Sequence, residues 1–179
     1  SAEFDPELRE RLRHALFDHC GMPGTYGLFV RSDTNVEDLP GFTGAGLNDT
    51  VPNVVDFDAI VAAIRRVWAS PFSERAHAWR QDLMDHPEHV YASVLLHRTV
   101  AVEKSGVMVT ADLDSGDRSV MTVVSSLGAM GGVDGQAAET LRVHLDRGEV
   151  RLLASATARF QHRLPAAGGT ARLPAPAPD

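Results

Sequence analysis

The sequence predicts an α+β fold, with helices first and a mostly antiparallel sheet after them. In three segments of the first half, apolar residues recur at helical spacing. From Val90 onward they alternate with a period of two, and strand-like runs follow one another through turn signals. This order, helices and then strands, argues against alternating βα units. The length, 179 residues, fits one domain of about 100–200 residues.

The first helix is signalled by Asp5-Pro6-Glu7: an N-cap, a proline at the first helical position and an acid in the first turn. Leu8, Leu12, Ala15 and Leu16 give its stripe, and Gly21 and Pro23 end it. Residues 25–30 (TYGLFV) read as a short strand, with Arg31 at its end. Residues 31–50, rich in Gly, Asp, Asn and Thr, have no sustained apolar period and read as a long loop. Asp56 caps a second helix with Ile60, Ile64, Val67 and Trp68 on one face. Ser70-Pro71 stops it and starts a third, with Phe72, Ala76, Trp79 and Leu83 in line; both tryptophans are expected in the core.

After His86-Pro87 the period becomes two. Val90, Ala92, Val94 and Leu96 alternate with Tyr91, Ser93, Leu95 and His97. Strands over 106–113 and 119–126 flank a hairpin turn at Asp114-Ser115-Gly116-Asp117. A glycine-rich loop covers 128–135, and 140–145 with 149–155 form another hairpin around Arg147-Gly148. The domain is expected over 1–164. From Pro165 to the end, 165–179, the Gly/Ala/Pro composition reads as a linker.

With 24 acidic against 17 basic residues, the formal charge is −7, the wrong sign for a protein that binds nucleic acid by neutralising phosphates. The single cysteine, Cys20, allows no internal disulfide and suits a cytoplasmic location. No apolar run approaches the ~18 residues of a membrane span, and the start lacks a signal-peptide pattern. The chain opens on Ser, so a processed or cut protein is expected. Of the basic residues only Lys104 is a lysine.

The chemistry centres on Arg31. An arginine followed by a polar, glycine-bearing loop can fork onto phosphate oxygens. Gly44 and Gly46 let the backbone approach a ligand and form an anion nest, and Thr50 adds a hydroxyl. The competing reading is a structural pair of Arg31 with Glu37 or Asp38.

The wording of residues 30–54, VRSDTNVEDLPGFTGAGLNDTVPNV, resembles the ATP-binding domain of the phosphoenolpyruvate-utilising dikinases. That family includes phosphoenolpyruvate synthase, pyruvate phosphate dikinase, rifampin phosphotransferase and glucan water dikinase. Arg31, Ser32, Glu37, Asp38, Leu39, Gly46, Asp49 and Thr50 match its motif in register. Residues 63–80 (AIRRVWASPFSERAHAWR) resemble its helix pair, and 105–110 (SGVMVT) its Ser-Gly-Val-Met-Phe-Thr strand. The likeness covers roughly 28–136.

The resemblance implies part of an ATP-grasp domain, in which two α+β lobes sandwich ATP. It further implies phosphorylation of a histidine on a separate swivelling domain of the same protein, for transfer to pyruvate, a glucan or an antibiotic. Arg31 and Ser32 then belong to the ATP site. Arg31 holds the triphosphate, as the residue whose loss stops catalysis, while Gly46 and Thr50 line the phosphate side. Leu96, His97 and Thr99 stand where the family's strand runs beside adenine. The implied Mg²⁺ has its ligands outside this chain, and no metal ligand is assigned within it.

The departures are specific. His97 replaces a Gln, Thr99 a Met, Leu127 a Trp and Gly131 a Glu, whereas Gly128 is kept. The family's ATP-contacting lysine lies upstream and its Gln-x-Arg strand downstream. The chain is therefore expected to be a fragment cut at both ends and inactive alone. A second reading is a degenerate module that binds nucleotide or a partner without transferring phosphate.

Other candidates read as structural. No histidine has the family's Gly-Gly-x-Thr-Ser-His context. His86 and His89 lack a Cys or close carboxylate to complete a metal set. Asp112, Asp114 and Asp117 read as a hairpin turn, since no Glu closes a Ca²⁺ loop at the twelfth position. Glu37 and Asp38, also weighed as a metal pair, are expected to structure their loop.

Overall fold

A computed structural model describes residues 4–35, 38–39, 42–43, 48–84, 86–112, 115–130 and 138–176. The chain forms two compact units. One is Ser1–Thr99 with Pro165–Gly169, the other Val100–Leu164 with Thr170–Asp179.

In the first unit, α1 (Pro6–Cys20) starts as its sequence requires: Asp5 Oδ1 accepts from the Leu8 N–H at 2.9 Å, with Pro6 at the first position. Three strands, β1 (Leu28–Thr34), β4 (Thr50–Val54) and β5 (Ala92–Arg98), form an antiparallel sheet in the order β4-β1-β5. Between β1 and β4 lies a small hairpin, β2 (Asp38–Leu39) and β3 (Phe42–Thr43).

Helix α2 (Phe57–Ala69) is capped by Asp56, whose side chain accepts from the Ala59 N–H. It lays Ile60, Ile64 and Val67 on the sheet. Those residues join Leu16, Tyr26, Leu28, Val30, Val54 and Phe57 in one core. Each large side chain buried there contributes about 1.5–3 kcal/mol.

Three expectations for this unit are corrected. The strand expected to stop before Arg31 runs on to Thr34, so Arg31 sits inside β1. Its exposed residues, Arg31 and Asp33, alternate with the more buried Val30, Ser32 and Thr34, and that alternation in a polar composition hides the strand. The third helix, α3 (Glu74–Leu83), starts at Ser73, after a 3₁₀ turn over Ser70–Phe72, with Ser73 accepting from the Ala76 N–H. Trp79 is 49% exposed and Phe72 62%, because among the described side chains of α3 only Ala76 and Arg80 are buried. Trp68 is half-buried and stacks on Phe4 at 5.6 Å.

The second unit is an antiparallel meander of β6 (Lys104–Val109), β7 (Val120–Leu127), β8 (Glu139–His144) and β9 (Glu149–Ala154). Both expected hairpins are present. Asp112 organises the turn between β6 and β7. Its Oδ1 accepts from the Ser115 N–H at 2.9 Å, and Oδ2 meets Arg142 Nη2 at 2.8 Å. Gly106 lies against β7 so closely that a Cβ there would meet the Val124 carbonyl oxygen at 2.1 Å.

The segment expected as a linker carries a strand, β11 (Ala171–Pro174), paired with β10 (Phe160–Arg163). Pro165–Gly169 belongs to the first unit, where Asn53 Nδ2 donates to the carbonyls of Pro165 and Gly169 at 2.8 and 2.9 Å. The backbone hydrogen bonds of this segment therefore have partners, which composition alone does not reveal. Among the described residues no helix is long and apolar enough to cross a membrane.

Candidate functional site

The register of the first sheet decides which residues share a face. Arg31 lies directly across from Thr50 on one side and Leu95 on the other, while Phe29 faces His97. Residues paired across a strand, and residues two apart along it, point to the same face. Arg31, Thr50 and His97 therefore stand together on the solvent side, all three exposed. Among the described residues Arg31 has no ion pair, so the competing reading of a structural pair gains no described partner; the side chains of Glu37 and Asp38 lie outside the described residues.

Thr50 is placed by the residue before it. Asp49 Oδ2 accepts from Arg66 Nε at 2.7 Å, and the Asp49 N–H donates to Ser70 Oγ at 3.0 Å. The Ser70 hydroxyl in turn donates to the Val67 carbonyl at 2.8 Å. The Asp49-Thr50 pair of the first motif and the Trp-Ala-Ser of the second are thus one device: the end of α2 pins the start of β4. Asp33, also on the Arg31 face, receives the Ser93 hydroxyl on its Oδ2 at 3.2 Å.

The remaining candidates stand apart from this group. Ser32 and Leu96 point to the helix side, where Leu96 packs against the core. Phe4, Leu12, Ile64, Trp68 and Val94 line an apolar hollow of about 270 Å³ with it. Thr99 closes the far end of the sheet: its N–H donates to the Gly27 carbonyl at 2.8 Å, and its hydroxyl is buried without a partner among the described residues. At about 3.3 Å per residue, Gly27, just before β1, is roughly 13 Å along the chain from Arg31. Gly46, and with it Gly44 and Gly131, lies outside the described residues.

In the second unit, Gly128 has φ +79° and meets β10 in a bridge with His162; a Cβ would stand 2.2 Å from the His162 carbonyl oxygen. That close approach is a physical reason for glycine at this motif position. Lys104, the single lysine, stands 4.0 Å from Glu139.

Two features escaped the sequence reading. Asn53 adopts φ +51° at the irregularity between β1 and β4, where its amide holds Pro165 and Gly169. Asparagine tolerates this region better than most residues, and an Asn after Pro52 was the available signal. The second corrects an expectation: a carboxylate does lie close to His86 and His89. Glu88 Oε1 is 3.4 Å from His86 Nδ1 and 3.6 Å from His89 Nε2. The Glu88 carboxyl is held below its usual range, first by a backbone hydrogen bond and then by the two imidazoles.

Comparison with known proteins places the chain in a family. The family model described as "Pyruvate phosphate dikinase, AMP/ATP-binding domain" matches residues 1–159. The chain is 40% identical over 100 residues to the rifampicin phosphotransferase of Bacillus subtilis, covering 55% of this chain and 11% of that protein. It is 38% identical over 151 residues to the rifampicin phosphotransferase of Streptomyces sviceus, covering 81% and 17%. To the phosphoenolpyruvate synthase of Escherichia coli it is 33% identical over 127 residues, covering 70% and 16%. The chain thus spans less than a fifth of the length of these relatives.

Proposed function

Because the chain belongs to the pyruvate phosphate dikinase AMP/ATP-binding domain family, we propose that its exposed sheet face holds the phosphates of ATP for a dikinase-type phosphotransferase. One observation carries this reading: Arg31 and Thr50 are cross-strand partners on an open face, and Arg31 has no ion pair among the described residues. A free guanidinium offers a planar fork of donors to phosphate oxygens. Thr50 sets a hydroxyl beside it, and Asp49 fixes that strand to α2. Ser32 and Leu96 support the same sheet from the helix side.

Phosphoryl transfer is mostly positioning and charge neutralisation. A histidine nitrogen on a swivelling domain forms its bond to the β-phosphorus as the bond to the AMP oxygen breaks. The terminal phosphate then leaves to water as its P–O–P bond breaks, so that one phosphoryl group stays on the histidine. The phosphoryl group then passes to an acceptor such as pyruvate, a glucan or an antibiotic. Arg31 holds the triphosphate in line during the first step. For the Mg²⁺ implied by the family, the described residues around Arg31 group no set of carboxylate donors. On the Arg31 face the carboxylate among the described residues is Asp33, already bonded to Ser93. Its ligands are expected outside this chain.

A second reading, a degenerate nucleotide-binding or partner-binding module, is favoured by Thr99, whose hydroxyl is buried at the sheet end, and by His97 in place of the family's Gln. The test is ATP-dependent self-phosphorylation of the whole protein carrying this chain, read as acid-labile phosphohistidine. Wild type is expected to label and Arg31→Ala to lose labelling by about 100-fold or more. Absence of labelling in the wild type supports the degenerate module, and an unchanged rate in Arg31→Ala removes Arg31 from the site. This chain alone is expected to bind ATP more weakly than micromolar, measurable by calorimetry.

A further inference from the structure

We propose that His86, Glu88 and His89 form a binding site for a divalent ion of the Zn²⁺ class, in the connection between α3 and β5. Their three ligand atoms lie within 4.8 Å of one another. A tetrahedral centre with metal–ligand bonds near 2.0–2.1 Å sets its donors about 3.3–3.4 Å apart. The two imidazole–carboxylate separations here are 3.4 and 3.6 Å. Small rotations about the side-chain bonds close the remaining gap, and all three residues are exposed enough to make them.

The backbone holds the donors in place. Pro87 fixes one φ in the turn, and the His89 N–H donates to the His86 carbonyl at 3.1 Å. Asn35, just beyond the end of β1, clamps the far side. Its Nδ2 donates to the His89 carbonyl at 3.0 Å, and its Oδ1 accepts from the Tyr91 N–H at 2.7 Å. The two rings are stacked with centroids 5.1 Å apart, so both nitrogens approach the same carboxylate oxygen.

The donor set selects the ion. Two imidazole nitrogens and one carboxylate oxygen suit Zn²⁺ and its neighbours, whereas Mg²⁺ and Ca²⁺ require oxygen ligands. Three protein ligands leave a position for water. An ion held there ties the turn before β5 to itself, and Asn35 links that turn to the strand that carries Arg31.

Calorimetric titration of this chain with Zn²⁺, with Mg²⁺ as the contrasting ion, tests the site. One Zn²⁺ per chain is expected at micromolar affinity, with no comparable Mg²⁺ binding. His86→Ala, His89→Ala and Glu88→Gln should each weaken Zn²⁺ by at least about tenfold, and His14→Ala should leave it unchanged. Zn²⁺ should also raise the melting temperature of the wild type and not of the His86→Ala/His89→Ala double variant. Circular dichroism checks that the variants fold. The assignment is overturned by Zn²⁺ binding no tighter than millimolar, or by unchanged affinity in either histidine variant.

Discussion

The backbone N–H of Asp49 donates to the hydroxyl of Ser70 across 3.0 Å, joining the start of β4 to the end of α2. Ser70 is buried, and its hydroxyl also donates to the Val67 carbonyl. Ser70→Ala removes both bonds and leaves the Asp49 N–H without this acceptor. A loss of about 1–3 kcal/mol is expected in urea unfolding, together with weaker nucleotide binding by the whole protein. Unchanged stability would show that the strand keeps its place without this bond.

Arg31 should behave in the opposite way. It is exposed and has no ion pair among the described residues, so Arg31→Ala should move stability by no more than about 0.5 kcal/mol. Ile60, 1% exposed in the core under the same sheet, sets the contrast: Ile60→Ala should cost about 2–5 kcal/mol. Chemical denaturation of the two variants separates a residue kept for binding from one kept for packing.

Gly106→Ala tests the strand motif of the second unit. Its new methyl would meet the Val124 carbonyl oxygen at 2.1 Å and the Ser125 Cα at 3.0 Å, both backbone atoms of β7. Since backbone has no rotamer to yield, the two strands must separate. A destabilisation of about 1–3 kcal/mol is expected, with faster hydrogen exchange along β6 and β7. Normal protection in the variant would show that the ladder tolerates the methyl.

Tyr26 gives a pH dependence with a definite sign. Burial, and after it the neighbouring Cys20, raises its phenol above the usual value near 10.0. The folded state thus keeps the proton that the unfolded chain gives up at about pH 10. Stability is complete below that pH and falls as pH rises from there toward the folded-state value. The absorbance change that Tyr26→Phe removes should appear above pH 10, and its appearance below pH 10 would contradict the burial argument.

Legibility of the sequence varied with the physics behind each signal. The caps at Asp5 and Asp56 and the α2 stripe were readable because capping and burial leave local marks. Strand β1 was only half readable, since one of its faces is solvated and its polar residues resemble a loop. The motifs located Arg31 and Thr50, but only strand register shows them opposite each other. The closeness of Glu88 to two histidines depends on a turn around Pro87 and on Asn35, which is 54 residues from His89 in sequence. The pairing of Ala171–Pro174 depends equally on distant partners, and composition there argued for a linker.

The amide of Asn53 reaches Pro165 and Gly169 across 112 and 116 residues of chain. Contacts of that span close a long loop at an entropic cost that must be met before they return anything. They are expected to form late, after the local helices and hairpins, and Asn53→Ala should then speed unfolding more than it slows folding. Their contribution therefore falls on how slowly the native chain lets go, rather than on how fast it is reached. On that expectation one asparagine serves as a kinetic latch for the returning segment, checked by the unfolding rate of Asn53→Ala.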